Sequence, residues 1–550
     1  MADAFPYVCD ENRFKTPIAV YAAATELVSQ AELGGLEDDL PLDCALARSG
    51  RRFIYRSVKL GRPRGVMEET AVGNLRKVFA RGAGVVNPVE ASSRGVDASL
   101  NLSATLGSRI ASKVSWFSEA GFQNSVPFRY MWRTLWKTVT SSANLASLED
   151  YTPPPDVTLR QVSADVLVVG AGLAGLGVAA ALSECGVGCV VVDPWPDPGG
   201  RTRFYDVRPD ELEAETYSGF CRAEKEKVGS KATFMQGKFT GVYEENTGYI
   251  ASADGVTHVK FNRIVYCTGS RSPPPLIAGN DLPGVVSAQY ALRLLHYGAL
   301  DGAVTVYAED QYGVKVYGLL KAKLPETELL TPLEAEGKLG EAPAYVKGRR
   351  EVEAVGYLKG DGSKNEARCR WLVYSTSRQP ALELPAQGGV GYVYDPLKGF
   401  VVDSVDPSKP PEQRTVWVAG SASGACELDS SYHHGRAVGF LIAEDAERFF
   451  SESSRVKSRT PPPSRNVPIS PAALVCFCED VLASDLLGFR SQGVANPQKV
   501  KRRTGWLTGP CQGKLCLASG MSLLCSSGRV EPPTQRLPAE PTPLGLLASS

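Results

Sequence analysis

Residues 164–193 read ADVLVVGAGLAGLGVAAALSECGVGCVVVD, and this stretch decides the fold. The apolar run Val166–Val169 is short and unbroken, which is typical of a fully buried parallel strand. An alanine-rich stretch follows the glycines and predicts a helix that stops near Gly186. A second apolar run, 189–192, predicts the next strand. The order strand, glycine turn, helix, strand indicates a βαβ unit of the dinucleotide-binding type.

Three glycines and one acid within this stretch each have a physical reason to be there. Gly170 permits a tight turn, and Gly172 lets the backbone approach a pyrophosphate without a Cβ in the way. Gly175 allows close packing of helix and strand, while the free N–H groups at the helix start attract the phosphate charge. Asp193 ends the second strand and is placed to accept hydrogen bonds from a ribose 2′-OH. We therefore predict a bound dinucleotide.

The composition indicates a soluble globular protein of several domains. The 550 residues include 60 basic and 60 acidic side chains, and 43% of residues are hydrophobic. Roughly two to four domains are expected at this length. The balanced charge offers no general attraction for nucleic acid or membranes. Because no apolar run approaches the roughly 18 residues of a spanning helix, and the first residues are charged, we expect a cytoplasmic protein.

Further turns are expected to complete the dinucleotide site. A second glycine turn contributes Gly200 and Arg201, and an apolar strand ends on Thr268 and Gly269. A later strand ends on Gly420 and Ser421, where flavin enzymes of this architecture commonly have Gly-Asp; this weakens FAD binding without excluding it. Residues 290–377 predict an inserted α/β unit without a second GxGxxG, so a pyridine nucleotide bound there in the usual way is not expected.

Two other features allow more than one interpretation. The segment Gly61-Arg-Pro-Arg-Gly65 could clamp a phosphate or carboxylate through its guanidinium groups, although a solvated turn is the commoner outcome. His433 and His434 are adjacent at a predicted helix start, so at most one of them would face the cofactor. No catalytic residue is assigned from the sequence.

Four of the 13 cysteines form two close pairs near the C-terminus. They are Cys476 and Cys478, then Cys511 and Cys516, with 32 residues between the pairs. Four thiolates can hold either Zn²⁺ or an iron–sulfur cluster. The C-x-C spacing is short for zinc, and five basic residues would offset the charge of a thiolate-ligated cluster: Lys499, Lys501, Arg502, Arg503 and Lys514. We favour [2Fe–2S], with zinc as the alternative.

Several of these segments together resemble the α subunits of heteromeric sarcosine oxidase, dye-linked L-proline dehydrogenase, opine dehydrogenase and hydrogen cyanide synthase. The resemblance covers most of the chain. It lies in Arg62-Pro-Arg-Gly65, Ala120-Gly-Phe with Met131-Trp132, Ala278–Val285, Ala419–Gly424, the four-cysteine block and Pro541–Gly545. The sequence ends where sarcosine oxidase α subunits continue into a folate-binding domain, so the resemblance does not imply folate chemistry. The first 150 residues contain only Cys9 and Cys44, too few for the plant-type cluster of some relatives.

The resemblance implies an α/β fold with a two-dinucleotide-domain flavoprotein core. Its domains would be a cluster-free ferredoxin-like β-grasp domain with a connector (1–150), a Rossmann domain (151–450) and a linker (451–470). A ferredoxin domain of the bacterioferritin-associated type (471–526) and an extended tail (527–550) would follow. The family uses the Rossmann site variously for FAD, NAD or ATP.

The resemblance also implies a function within a complex. The chain would be an α subunit that relays electrons, beside an FAD-containing β subunit that oxidises an amino acid, with FMN at the interface. Two other functions stay open: a self-sufficient NAD(P)H-dependent flavoprotein reductase, and a non-catalytic scaffold that binds nucleotide and zinc.

Overall fold

The computed structural model describes residues 25–29, 40–57, 62–68, 78–80, 84–86, 89, 93–94, 98–101 and 158–534. The last range has gaps at 230, 245, 253–254, 333–339, 397–399, 404–413, 425–426, 458–468, 510 and 526–528. The chain is divided into two compact units. Unit 1 comprises Met1–Thr152, Ser272–Thr376 and Pro462–Leu524, and unit 2 comprises Pro153–Arg271, Ser377–Pro461 and Cys525–Ser550.

Unit 2 is built on a seven-stranded mixed sheet whose central strands are parallel. In sheet order its strands are Lys238–Glu244, Thr247–Ser252, Gly255–Tyr266, Thr158–Val169, Cys189–Asp193 and Ala232–Gln236, with Val416–Val418 paired to the end of Gly255–Tyr266. Its helices are Leu173–Glu184, Tyr217–Val228, Glu383–Gln387, Leu428–Ile442 and Ala446–Ser453. Smaller ladders pair Ser270–Arg271 with Gln379–Pro380 and Tyr392–Asp395 with Phe400–Asp403.

The predicted first strand is the buried centre of this sheet. Val166 and Val168 point into one hydrophobic core, and Leu167 and Val169 point into another on the opposite face. A strand covered on both faces needs apolar residues at every position rather than alternation, which is why the run is unbroken. The predicted strand–helix–strand order is confirmed.

Small residues let the helix Leu173–Glu184 pack closely against Leu428–Ile442. A Cβ on Gly435 would lie 2.1 Å from the carbonyl oxygen of Ala174, and one on Gly177 would lie 2.3 Å from that of Tyr432. Backbone therefore meets backbone along this pair of helices. The packing holds the beginning of the later helix beside the glycine turn.

Unit 1 contains a second, smaller parallel sheet. Its strands, in order, are Val285–Ser287, Trp371–Ser375, Val304–Ala308 and Thr327–Leu330, accompanied by helices Ala288–His296 and Gln311–Lys323. An antiparallel meander of Ala342–Lys347, Ala354–Leu358 and Lys364–Arg368 follows within the same stretch of chain. The sequence predicts an inserted α/β unit in this part of the chain, at 290–377.

The earlier part of unit 1 has its own strands and one helix. They are the sheet Thr25–Val28, Ala98–Asn101, Val78–Ala80 and Gly84–Val86, the hairpin Tyr55–Arg56 with Pro63–Arg64, and the helix Leu42–Arg48. The predicted ferredoxin-like domain stays a prediction. The connector motifs at 120–122 and 131–132, together with Cys9, lie outside the described residues.

The cysteine-rich part of unit 1 is a short ladder followed by helices. Leu474–Cys476 pairs with Val481–Leu482, and the helices are Ala483–Ser491, Pro497–Thr504 and Leu517–Leu524. Leu474, Phe477 and Leu515 belong to the same hydrophobic core as Tyr307 and Leu372 of the parallel sheet. The cysteine region is thus packed into unit 1.

Two terminal segments adjoin the predicted linker and tail. The helix Ala446–Ser453 extends into the predicted linker, whose middle, 458–468, lies outside the described residues. In the predicted tail, Val530 pairs with Tyr394 through two backbone hydrogen bonds of 2.7 and 3.3 Å. Residues 541–545 lie outside the description, and the predicted domain bounds stay predictions.

Candidate functional site

The turn after the first strand of unit 2 has the geometry that its glycines predict. Gly170 has φ +107°, and a Cβ there would lie 2.5 Å from the carbonyl oxygen of Cys267. A Cβ on Gly175 would lie only 1.8 Å from the carbonyl oxygen of Gly170. Both positions therefore require glycine, one for its backbone conformation and the other for close packing.

Gly172 differs because no protein atom crowds it. A Cβ there would meet nothing nearer than the Cα of Gly200, at 3.9 Å. Gly172 is also the N-cap of the helix Leu173–Glu184, makes no side-chain cap, and has no acidic residue in the turn that follows. The free N–H groups and the space that a Cβ would fill both fit a pyrophosphate at this helix terminus.

The second glycine turn lies directly against the first. Gly199 forms a parallel bridge with Gly172 and donates its N–H to the carbonyl oxygen of Ala171 at 2.8 Å. Gly200 has φ +52°, and Arg201 follows it in the short 3₁₀ helix Gly200–Thr202. The structure thus brings together the two segments that the sequence predicts at one ligand.

Asp193 supports the turn through its carboxylate. Oδ2 accepts a hydrogen bond from the N–H of Ala171 at 2.8 Å, and Oδ1 accepts one from the N–H of Trp195 at 3.0 Å. An acid in this position orders the glycine turn as well as offering oxygens to a ribose. The ribose contact stays a prediction.

The predicted return strand also ends in this unit. Tyr266 pairs with Val169 in parallel register, so the residues after both strands leave the same edge of the sheet. Thr268 donates its hydroxyl to the carbonyl oxygen of Ala381 at 2.8 Å, and Gly269 has φ +79° with no atom within 4 Å of its missing Cβ. Their predicted contact with the cofactor is untested.

The turn at Gly420–Ser423, called the closing turn below, packs on the start of the helix Leu173–Glu184. A Cβ on Gly420 would lie 2.4 Å from the Cβ of Ala174, and Gly420 has φ +68°. Ser421 lies within the 3₁₀ helix Gly420–Ser423 that follows. Their predicted cofactor contacts stay predictions.

His434 is a site residue that the sequence did not assign. Its Nδ1 accepts the backbone N–H of Gly420 at 3.0 Å, and burial lowers the pKa of the imidazole. A neutral ring is the form that can accept this bond. His433 instead contacts Glu452 through Nδ1 at 2.7 Å. The two neighbours point apart, as adjacent helical residues must. The predicted position at a helix start is wrong, because the helix begins at Leu428 and both histidines lie in its second turn.

The parallel sheet of unit 1 ends in a different kind of turn. Asp310 caps the helix Gln311–Lys323, and its Oδ1 accepts the N–H of Gly313 at 2.9 Å and the hydroxyl of Ser375 at 2.6 Å. A carboxylate therefore occupies the helix terminus where a phosphate would otherwise bind.

The four predicted cysteines of unit 1 converge. Hydrogen bonds join Cys476 to Cys478 and Cys516, and the same two thiols are joined to Cys511, so the four sulfur atoms form a closed ring. All four are free cysteines, and three of them are buried below 4% exposure. A Cβ on Gly509 would lie 2.2 Å from the Cβ of Cys478, which shows how closely the second loop approaches the first.

Acidity alternates around this ring. Hydrogen bonds from Cys478 and Cys516 hold the pKa of both Cys476 and Cys511 well below the usual thiol range. Hydrogen bonds to Cys476 and Cys511 raise the pKa of Cys478, and burial raises that of Cys516. Thiolates are the form that ligates metal, so this donor set fits a thiolate-bound zinc ion or iron–sulfur cluster.

The described residues include no group of three or more His, Cys, Asp or Glu side chains already set at metal-binding spacing. The five basic residues that the sequence predicts around the cysteines differ in exposure. The helix Pro497–Thr504 carries the exposed Lys499, Arg502 and Arg503 and the half-buried Lys501, whereas Lys514, between Cys511 and Cys516 in the chain, is buried.

The fold and the glycine turn define a Rossmann-type dinucleotide-binding protein. Residues 168–220 match the family model described as an NAD(P)-binding Rossmann-like domain. The predicted α/β Rossmann fold is therefore confirmed, while the ferredoxin-like and [2Fe–2S] domains stay predictions. Among the described residues, no helix is long and apolar enough to span a bilayer.

Two relatives by sequence are named as subunits of oxidases. An opine oxidase subunit of Agrobacterium tumefaciens (strain Ach5) is 23% identical over 485 residues, covering 71% of this chain and 94% of the relative. The alpha subunit of sarcosine oxidase from Corynebacterium sp. (strain P-1) is 22% identical over 571 residues, covering 92% of this chain. This chain spans 54% of that relative, about half its length.

A solved structure shares the fold of this chain. L-proline dehydrogenase from P. horikoshii superimposes with a TM-score of 0.71 at 17% identity, covering 93% of this chain and 94% of that one. The relatives are oxidoreductases, two of them named as subunits, and they are those that the sequence resembles. That resemblance is therefore confirmed.

Proposed function

We propose that this chain is the nucleotide-binding, electron-relaying α subunit of a heteromeric flavin-dependent amino acid dehydrogenase or oxidase of the sarcosine, proline or opine type. The observation that carries the proposal is the combination of an open dinucleotide turn at Gly172 with four mutually hydrogen-bonded thiols. It occurs in a chain similar over most of its length to oxidase subunits.

The glycine turn would hold the pyrophosphate of FAD or NAD, or the phosphates of ATP. N–H groups at the start of Leu173–Glu184 would bind the phosphate, and Gly172 would leave room for it. Asp193 orders the turn through Ala171 and would offer its remaining lone pairs to a ribose. The Gly200–Arg201 turn would approach the same ligand from the other side, with a guanidinium suited to phosphate.

The four cysteines would hold a [2Fe–2S] cluster, with zinc as the alternative. A bound cluster supplies one-electron transfer, which allows a flavin's electron pair to leave in single steps. Hydrogen bonds from Cys478 and Cys516 lower the pKa of the Cys476 and Cys511 thiols, which is the direction that suits metal ligation, because a thiol must lose its proton to ligate metal.

Substrate oxidation would take place mainly in a partner, an FAD-containing β subunit, with FMN shared at the subunit interface. We therefore expect the purified chain alone to have little amino acid dehydrogenase activity. Robust turnover of proline, sarcosine or an opine by the lone chain would contradict this division of labour.

Purification with native partners, followed by cofactor release, tests the proposal. We expect an adenine-containing nucleotide from this chain, together with iron and acid-labile sulfide. Cys511→Ser should abolish the cluster's visible absorbance, whereas the control Cys185→Ser should retain it, because Cys185 lies at the end of a helix in unit 2. A colourless wild-type chain containing zinc would favour the scaffold function instead.

A further inference from the structure

Arg64 is a buried guanidinium that bridges two carboxylates within unit 1. It is 1% exposed, and its two terminal nitrogens donate separately to Asp281 and Asp480. Arg62 adds a two-point contact to Asp281, with Nε–Oδ2 at 2.6 Å and Nη2–Oδ1 at 2.5 Å. The two arginines therefore do not lie in the solvated turn that the sequence favours: Arg62 and Arg64 clamp a carboxylate that is 219 and 217 residues away, respectively.

The second carboxylate belongs to the loop that carries the first two cysteines. Asp480 follows Cys478 by two residues and has φ +52°, in the left-handed region that non-glycine residues seldom adopt. Phe477 separates Cys476 from Cys478, and the Cζ of Arg64 lies 6.0 Å from the centroid of its ring. Arg64 thus contacts this loop in two ways: its charge pairs with Asp480, and its guanidinium lies over the ring of Phe477.

The residue before Asp281 holds the strand that enters the same loop. The side-chain amide of Asn280 donates to the carbonyl oxygen of Leu474 at 2.9 Å, and its oxygen accepts the N–H of Leu474 at 3.0 Å. The pair Asn280–Asp281 therefore fixes one side of the cysteine loop directly and the other side through Arg64.

Stability alone does not account for this arrangement. Removing two carboxylates and a guanidinium from water costs several kcal/mol per ion, and apolar replacements of buried ion pairs are often neutral or stabilising. The two arginines also differ in what they connect: Arg62 contacts Asp281, whereas Arg64 joins Asp281 to Asp480. A fixed positive charge at a metal-binding loop raises the reduction potential of a bound cluster because it stabilises the added electron.

We propose that Arg64 is a positioning residue for the four-cysteine centre, which it serves by fixing the Cys476–Cys478 loop through Asp480 and by keeping a buried positive charge beside it. This rests on the proposed cluster. Arginine is required because its planar fork can donate to two carboxylates at once, whereas a lysine ammonium is a point charge at the end of a flexible chain.

The test measures the cluster's reduction potential in the full chain by a spectroscopic redox titration. Arg64→Met should shift the potential to a more negative value, because a positive charge is lost. Asp480→Asn should shift it to a more positive value, because the Arg64 charge is then less neutralised. Arg64→Lys keeps the charge but cannot bridge, so it should lie between Arg64→Met and the wild type. Opposite shifts distinguish this role from a merely structural one, which would move neither potential or both in one direction.

Arg62→Met is the matched control, because it removes an arginine from the same network without touching Asp480. Its shift should be smaller than that of Arg64→Met. If Arg64→Met fails to fold, Asp480→Asn and Arg64→Lys decide the matter by the same signs. A complete cluster at wild-type potential in the Arg64 and Asp480 variants would overturn this proposal alone. A wild-type chain without iron and sulfide would overturn the proposed cluster and this proposal together.

Discussion

The turn after Thr158–Val169 and the turn after Val304–Ala308 each join a buried parallel strand to a helix, and they treat the helix terminus in opposite ways. In unit 2, Gly172 caps Leu173–Glu184 without any side-chain hydrogen bond. In unit 1, Asp310 caps Gln311–Lys323 with its carboxylate, which also accepts the hydroxyl of Ser375. The same βα geometry thus leaves one terminus open to an external anion and fills the other with an internal one.

This difference explains why a parallel βα unit alone does not define a nucleotide site. The positive end of a helix dipole attracts phosphate only where its N–H groups are free. At the unit 1 turn, a phosphate would meet the negative charge of Asp310 and also that of the buried Glu309 beside it. A nucleotide is therefore expected at the turn capped by Gly172 and not at the turn capped by Asp310.

The largest expected effect is a loss of stability when a methyl group is added at Gly175 or Gly313, the glycine that packs closely at the start of the helix in each turn. Gly175→Ala would place a Cβ 1.8 Å from a backbone oxygen, which cannot move without opening the turn. We expect a loss of more than about 3 kcal/mol in free energy of unfolding, the upper end of overpacking costs. Gly313→Ala would meet side-chain Cβ atoms at 2.6 and 2.7 Å and should cost about 1–3 kcal/mol. Urea unfolding followed by circular dichroism measures both; equal losses would contradict the comparison.

Next in size is the effect on nucleotide binding at the open turn. Gly172→Ala fills the space reserved for phosphate, and should weaken nucleotide binding by about tenfold or more, equivalent to about 1.4 kcal/mol. Protein stability should change little, because the new Cβ meets no protein atom within 3.9 Å. Calorimetric titration with NAD, FAD and ATP provides the measurement.

Gly188→Ala is the matched control for that variant. Its Cβ would lie 4.0 Å from the nearest atom, the carbonyl oxygen of Lys231, and it lies beyond the other end of the same helix. Wild-type affinity in Gly188→Ala is expected. Unchanged affinity in Gly172→Ala would show that the phosphate does not approach this glycine.

A smaller effect on stability is expected at the turn capped by Asp310. Asp310→Ala removes the cap of Gln311–Lys323 and should lower the free energy of unfolding by about 1 kcal/mol, the usual value of an N-cap. Nucleotide affinity should stay at the wild-type value, because the binding site lies at the other turn. Urea unfolding and calorimetric titration of Asp310→Ala measure the stability and the nucleotide affinity, respectively. A reduced nucleotide affinity would place a ligand at the turn capped by Asp310.

The smallest effect concerns pH and His434. Burial lowers its pKa below the ordinary value near 6.5, so the unfolded chain binds the proton more readily than the folded chain. The stability contributed by neutral His434 is therefore fully present above about pH 6.5 and is lost as pH falls towards the folded-state pKa. In His434→Gln, whose side-chain oxygen can still accept the Gly420 N–H, the decline below pH 6.5 should be shallower. An identical pH profile in the two proteins would contradict this role.

Much of unit 2 could be predicted because its signals are local. The run Val166–Val169, the glycines and Asp193 lie within one βαβ stretch, where strand burial, turn conformation and helix packing act on neighbouring residues. The two cysteine pairs were also visible, since each pair is close in sequence. Their union into one ring was an inference, because 32 residues separate the pairs.

Other features could not be predicted, since their partners are far apart in the chain. Nothing near Arg64 identifies Asp281 or Asp480, which lie 217 and 416 residues away. The contact between His434 and Gly420 depends on how the helix Leu428–Ile442 packs against the glycine turn. A pattern of residue types cannot specify such pairs, because many arginines and carboxylates are equally available.

The sequence by itself determined where a dinucleotide turn forms, because glycine at 170 and 175 meets steric limits that no other residue satisfies. It also determined that four thiols are available for a metal centre. Only the tertiary structure decided what surrounds them: a carboxylate on the second turn, an imidazole on the closing turn, and a buried guanidinium on the cysteine loop. The physical reason is that backbone conformation follows from nearby residues, whereas the pairing of buried charges follows from which distant segments share a core.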